Sequence, residues 1–361
     1  MNVLTDISTN ASRNSEYRAA GVDIDAAARA VDLMKDAVRS TYTPNVLADV
    51  GSFGGLFALT DLPPRPVLVA STDGVGTKVE LAARLGQYRS LGHDIVNHCA
   101  NDILVQNATP LFFLDYMASS KLEPENAAEI VSGIAEACRL IGCALLGGEL
   151  AEMPGVYVEG ALDLVGTVVG LVDQERILPR KESMAVGDVV VALPSSGPHT
   201  NGYSLTRKLV AGHDLDALIT PSGPSWAEAL LAPHRAYGPT LAAFSQAGVQ
   251  LKGMAHITGG GLYDNIPRVL PNHLSAKLLI EHDDIPPLFH HLWQMSKMAQ
   301  EEAFRVWNMG VGMVLIIAEE SVHGVLSKAR DSWVLGRLVQ NEDAEPSVSI
   351  RVGRLMGRGR L

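Results

Sequence analysis

The chain has 361 residues and a formal net charge of −11, with 47% apolar, 19% charged and 5% aromatic residues. That length suits two domains of ordinary size, each with its own core, and it excludes a disordered chain. The acidic balance excludes nucleic acid as the main partner, so a phosphorylated ligand must be met locally, by metal ions, backbone amides and a few basic side chains.

Residues 1–20 read as a mobile arm. Met1 to Glu16 is polar where a signal peptide carries an apolar core. A helix follows from Asp25 to about Arg39, with Val31, Met34 and Val38 on one face. Asp49 to Phe57 is a glycine-rich loop containing Gly51, Phe53, Gly54 and Gly55. Pro66 to Thr72 is β-branched and bounded by proline and glycine, which predicts a buried strand. It delivers Asp73-Gly74-Val75-Gly76-Thr77-Lys78 into one tight turn. Glycines let a ligand approach the backbone, turn amides attract anions, a carboxylate holds a divalent cation and a lysine neutralises phosphate. The order Gly-Thr-Lys is not that of a Walker A loop. Alone, the motif is weak: a glycine turn after a strand is more often a plain turn with its Asp capping the next helix.

A helix is expected over about 94–106, a strand over 111–116, and a helix from Glu123 to about Ile141 with proline in its first turn. Ala144 to Leu146 is a short strand that stops at Gly147-Gly148-Glu149, and Leu162 to Val172 alternates as a strand. The charged stretch Asp173 to Gly187 marks the domain boundary, giving domains over 21–174 and 175–345 and a tail over 346–361 that ends in solvated arginines. The second half restarts with the strand 188–193 and the polar loop 194–204, which opens a helix. Helices near 226–247 and 286–298, the loop 256–261 before another helix start, and the strand 314–318 complete the pattern. The fold class is α/β (α+β), with two domains, each a mixed sheet covered by helices. No apolar run nears the ~20 residues that span a bilayer, so no membrane contact is expected. Cys99, Cys138 and Cys143 form neither a disulfide framework nor a zinc signature, which fits a cytoplasmic protein.

Acids beside glycine or asparagine recur at element ends: Asp73, Asn101-Asp102, Asp115, Gly148-Glu149 and Asp163. Gathered acids repel unless a cation joins them, and hard oxygen ligands select Mg²⁺. Asn101-Asp102 interrupts an apolar helix, so the pair either faces a site or bonds neighbouring backbone. His199-Thr200-Asn201-Gly202 lies between a strand and a helix, where α/β proteins place ligands; His199 reads as a general acid or base, or as an idle side chain beside a helix cap. Gly259, Gly260 and Gly261 offer consecutive amides for phosphate, with Arg268 nearby, or form a plain hinge. His93 and His98 have helical spacing without a zinc pattern, and the remaining histidines read as surface or helix-end residues.

Together these segments resemble the aminoimidazole ribonucleotide synthetase (phosphoribosylformylglycinamidine cyclo-ligase) family of purine synthesis. The matching runs are YRAAGVDID (17–25), STDGVGTK (71–78), CANDILVQNATPLFFLDY (99–116), VSGIAEACRLIGCALLGGELAEMPGVY (131–157), LPSSGPHTNGYSL (193–205), LAPHRAY (231–237), HITGGGLYDNIPRVLP (256–271) and NMGVGM (308–313). The resemblance implies ATP-driven ring closure of formylglycinamidine ribonucleotide through phosphoryl transfer to the formyl oxygen and attack by the amidine nitrogen. It implies Mg²⁺ held by Asp73, Asp102 and Glu149, with Asn101 nearby. It places Lys35, Lys78, the Gly51–Gly55 loop, Gly74, Gly76, Thr77, Gly148 and the Gly259–Gly261 turn around the nucleotide. His199 and Asn201 face the site from the second domain, with His199, Asn201, Lys78 and Asp102 as catalytic candidates. It further implies a homodimer whose first-domain sheets pair. The chain departs from the pattern at Leu150, Val158 and Met309. Selenophosphate synthetase and the hydrogenase-maturation dehydratase fit less well, because the cysteines they need are missing. A thiamine-phosphate kinase and a non-catalytic nucleotide-binding protein are the alternatives.

Overall fold

The computed structural model describes residues 20–353. The expected arm, apart from Ala20, and the arginines beyond Gly353 lie outside the described residues. Asp23 caps the first helix, α1 (Ile24–Arg39), by accepting from the Asp25 and Ala26 N–H groups. Ala30, Met34 and Val38, spaced four apart, form its buried stripe.

The first sheet contains β1 (Pro66–Gly74), β2 (Thr109–Ser119), β3 (Ala144–Glu152) and β4 (Leu162–Asp173), in the order β1-β4-β2-β3. Only β2 and β3 run parallel. Between β1 and β2 come α2 (Lys78–Leu85) and α3 (Arg89–Leu104), and α4 (Pro124–Leu140) joins β2 to β3. α3 and α4 cover one face and touch at glycines: a Cβ on Gly92 would lie 2.2 Å from the Ile130 carbonyl oxygen, and one on Gly133 2.1 Å from that of Arg89. The other face is open, leaving Leu68 57% and Leu114 36% exposed. Contrary to expectation, β3 does not stop at Gly147. The glycines continue the ladder, because any side chain at Gly148 would strike Asp115 Oδ1 at 2.3 Å.

The second sheet is built from β5 (Val189–Pro194), β6 (Gly253–His256), β7 (Leu274–Glu281), β8 (Val311–Ile317), β9 (Trp333–Gln340) and β10 (Val348–Gly353). Its order is β10-β7-β9-β5-β8-β6, mixed because β10 runs parallel to β7. β8 is buried throughout, and β5 up to its final proline, as expected of central strands covered on both faces. The helices are α5 (Tyr203–Leu209), α6 (Trp226–Leu231), α7 (Gly238–Gln246), α8 (Gly261–Val269), α9 (Pro287–Ser296), α10 (Gln300–Val306) and α11 (Val322–Lys328). Residues 348–353, expected in a solvated tail, instead extend the sheet. The helical stretch expected over 226–247 is broken at 232–237, which runs without regular structure beside α3.

Candidate active site

Helix α3 explains the join between the two halves. Asp94, Asn97, His98 and Asn101 recur at helical spacing and form one polar, buried stripe. An irregular buried segment carries backbone groups that need partners, and this stripe supplies them. Asp94 Oδ1 accepts the His234 N–H at 2.7 Å, and Asn97 Nδ2 donates to the His234 carbonyl at 2.7 Å. Asn101 Nδ2 donates to the Arg235 carbonyl at 2.9 Å, and its Oδ1 accepts the Tyr237 N–H at 3.3 Å. Asn101 therefore acts as a joint between the halves, with each end of its amide bonded to the 232–237 segment.

Lys78 also departs from expectation. It is fully buried as the first residue of α2, with Nζ 2.9 and 2.8 Å from the two Asp94 oxygens and 2.8 Å from the Ala232 carbonyl. Burial pushes the lysine pKa down and that of Asp94 up, while their mutual attraction opposes both shifts. Its hydrogen bonds to Asp94 Oδ1 and the Ala232 carbonyl hold this ammonium inside the joint, away from the open rim.

Asp73 and Asp102 do meet. Asp73 is the penultimate residue of β1 and Asp102 lies on α3; both side chains are partly open, 41% and 34% exposed. His98 Nε2 lies 2.7 Å from Asp73 Oδ2, and His256 Nδ1 lies 2.8 Å from Asp102 Oδ1. Ser71 Oγ donates to Asp102 Oδ2 at 3.1 Å. Burial works to raise both acids, but the histidine contacts outweigh it and hold each below the usual carboxylate range. Two ionised carboxylates on one rim form a donor set suited to a divalent cation.

The loop after β5 approaches this rim from the second half. Thr200 Oγ1 bonds His98 Nδ1, and Thr77 Oγ1 lies 3.2 Å from Ser204 Oγ. His199 adopts φ 60° and is fully buried, its ring stacked 3.9 Å from that of His234. Its Nε2 accepts the Ser196 and Arg235 N–H groups at 3.3 and 3.5 Å, so its Nδ1 carries the proton, and burial keeps the ring neutral. This makes His199 a hydrogen-bond donor rather than a charged acid. His199 Nδ1 and Asn201 Nδ2 are buried without a protein partner among the described residues. Two orphaned donors on one loop are what an anionic ligand satisfies. The Gly259–Gly261 turn follows His256 by three residues, and a Cβ on Gly259 would lie 3.7 Å from Asn201 Oδ1. Asn265 Nδ2 donates to the Thr258, Gly259 and Gly261 carbonyls, which fixes the turn. Arg268 is exposed. Gly76, at φ 70° with open space around it, turns the chain from β1 into α2.

Residues 54–172 match the N-terminal domain, and residues 185–349 the C-terminal domain, of AIR synthase related proteins. The chain belongs to the AIR synthase related family. It is 46% identical over 332 residues to the phosphoribosylformylglycinamidine cyclo-ligase of Alkaliphilus oremlandii, covering 90% of this chain and 97% of that one. It is 49% identical over 308 residues to the enzyme of the same name from Desulfitobacterium hafniense, covering 85% and 90%. Two solved structures share the fold at 15% identity. The E. coli hydrogenase maturation protein HypE gives a TM-score of 0.59 over 91% of this chain and 94% of its own. The thiamine-monophosphate kinase of Stenotrophomonas maltophilia gives 0.61 over 88% and 95%.

The remaining residues expected from the AIR synthase resemblance sit elsewhere in the chain. Asp73, Gly166, Asp115 and Gly148 form one row across the sheet, so Gly148 stands three strand spacings, about 14 Å, from Asp73. Gly148 shares the helix-covered face with Asp115, so the next residue, Glu149, points to the open face and is exposed. Within this chain Glu149 does not join Asp73 and Asp102. Gly55 packs on Leu146 of β3, Phe53 is fully exposed, and Lys35 pairs with Asp32 on α1. Lys35, Gly51–Gly55, Gly148 and Glu149 thus gather on the β3 side, while Asp73, Gly74, Gly76, Thr77, Asp102, His199, Asn201 and Gly259–Gly261 gather on the β1 side. Sequence reasoning missed His98, His234 and His256, and the last two are buried where surface positions were expected. His256 heads the glycine turn, and that placement was the available signal.

Proposed function

We propose that this protein closes the imidazole ring of formylglycinamidine ribonucleotide at the expense of ATP, giving aminoimidazole ribonucleotide, ADP and phosphate. The names of its close relatives support the reading. The observation that carries it is the pairing of two ionised carboxylates, Asp73 and Asp102, with the orphaned donors of the 199–201 loop. In the proposed reaction the γ-phosphoryl group passes to the formyl oxygen. The amidine nitrogen attacks the activated carbon, and phosphate leaves with that oxygen. Phosphoryl transfer needs positioning and charge neutralisation more than covalent chemistry. Asp73 and Asp102 hold the divalent cation, expected as Mg²⁺, which supplies charge neutralisation at the ATP phosphates. His199 Nδ1 and Asn201 Nδ2 donate to an oxygen of the phosphorylated substrate, and the Gly259–Gly261 amides take a phosphate.

The protein acts as a homodimer in this reading. The open face of the first sheet, with Leu68 and Leu114 exposed, needs an apolar cover, and a second copy brings its own β3-side group to the site. A cytoplasmic location fits the pathway, and no helix among the described residues is long and apolar enough to cross a membrane.

Incubation with formylglycinamidine ribonucleotide and Mg·ATP, following the amine product, tests the activity; ATP hydrolysis without ring closure overturns it. Mixing inactive Asp73→Asn and Glu149→Gln chains tests the shared site. Restored turnover of about a quarter is expected, because one site in each mixed dimer is intact; no recovery overturns the arrangement.

A further inference from the structure

Among the described residues, two histidine-containing groups come close enough to hold a cation: His199, His234 and His256, and Asp73, His98 and Asp102. The first is a hydrogen-bonded stack rather than a cage. His199 Nε2 is occupied by two backbone N–H groups, His256 Nδ1 by Asp102, and the His234 and His256 Nε2 atoms are hydrogen-bonded at 3.0 Å. The His199 and His234 rings are also stacked within 20° of parallel, so their lone pairs do not converge.

The second group differs. His98 is 4% exposed, its Nε2 lies 2.7 Å from Asp73 Oδ2, and the three donor atoms lie within 4.8 Å of one another. Its other nitrogen meets Thr200 Oγ1. A metal-bound imidazole keeps its second ring N–H on an oxygen acceptor, which fixes the ring and its tautomer. Thr200 provides that acceptor. With a cation held, the ring proton would sit on Nδ1 and donate a hydrogen bond to Thr200 Oγ1, leaving the Nε2 lone pair to face the cation. The imidazole stays neutral, and the two carboxylates balance a 2+ ion. Mg²⁺ strongly prefers oxygen, whereas an imidazole donor favours transition ions.

We propose that His98 is a third ligand beside Asp73 and Asp102, making this a mixed oxygen–nitrogen site that prefers a nitrogen-accepting divalent ion such as Mn²⁺ over Mg²⁺. The inference rests on the cation placement given under the proposed function. His98 therefore touches the cation directly, and Thr200 is the residue that orients it.

The test is pulsed EPR of the full chain loaded with Mn²⁺, with and without ATP. Modulation from a directly bound ¹⁴N is expected in both samples, replaced by the ¹⁵N pattern when the protein is made with ¹⁵N-histidine. That labelling changes no atom of the fold. His98→Gln abolishes the modulation and lowers the Mn²⁺-to-Mg²⁺ affinity ratio about tenfold, whereas His256→Gln retains the signal. Absence of nitrogen modulation in the native protein overturns the proposal, as does its loss in His256→Gln with retention in His98→Gln. Mg²⁺-dependent ring closure without nitrogen modulation sinks this inference alone and leaves the functional reading standing.

Discussion

Lys78→Met separates a buried joint from a phosphate contact. The substitution keeps the length of the side chain but leaves Asp94 buried beside the Ala232 carbonyl with no cation. Breaking a buried pair by removing one partner costs about 3–5 kcal/mol. For 361 residues the unfolding entropy is about 0.76 kcal/mol/K, so Tm falls by about 4–7 °C. Without Lys78, burial holds the Asp94 carboxyl above its unfolded value. The folded state then binds the proton more tightly than the unfolded state, so the deficit is smallest below about pH 4 and grows as pH rises through the carboxylate range. Adding Asp94→Asn removes the charge and keeps an oxygen for the His234 N–H, so the double variant recovers much of the loss. Thermal unfolding at pH 5 and pH 8, with ATP binding measured on the same samples, checks all of this. An unchanged Tm together with weakened ATP binding would show that Lys78 contacts phosphate after all.

Asp115 faces the helix-covered side of the first sheet, and burial pushes its pKa up to about 7. The folded state holds that proton more tightly, so stability declines as pH rises from about 4 to about 7 and then levels; Asp115→Asn removes the slope and raises Tm by a few degrees at pH 8, whereas parallel Tm–pH curves for the two proteins would refute the assignment. Asn101→Ala leaves the Arg235 carbonyl and Tyr237 N–H without their partner, a loss of roughly 2–4 kcal/mol with faster exchange of the Tyr237 amide and unchanged cation affinity. Native stability with impaired cation binding would return Asn101 to the nucleotide site.

The features legible in the sequence were those set by near neighbours. Met34 and Val38 of the α1 stripe, the Pro124 start of α4 and the strand leading to Asp73 all follow from spacing and turn chemistry, whereas the stripe continues to Ala30 and not to the expected Val31. Lys78 was misplaced because a lysine after glycines resembles a phosphate contact, and nothing local announces Asp94 sixteen residues on. Glu149 was expected beside its own chain's Asp73 and Asp102 because glycines ended the expected strand, whereas the ladder continues and turns the acid to the other face. The break at 232–237 was hidden because its cause is distant, in the polar stripe of α3. The pair Asn101-Asp102 was read as facing a site or bonding backbone, and the two residues divide between these: Asp102 faces the rim and Asn101 turns inward, a difference of one helical step that a dipeptide cannot reveal.

Helix α3 grips 232–237 through that segment's main chain: the His234 N–H and carbonyl, the Arg235 carbonyl and the Tyr237 N–H. Every residue type but proline offers those same atoms. The side chains there are consequently released from the task of holding the halves together, and evolution can exchange them without loosening the joint. His234, which stacks on His199, occupies such a position. The chemistry behind the 199–201 loop can thus be retuned by single substitutions on a strap whose grip does not depend on them.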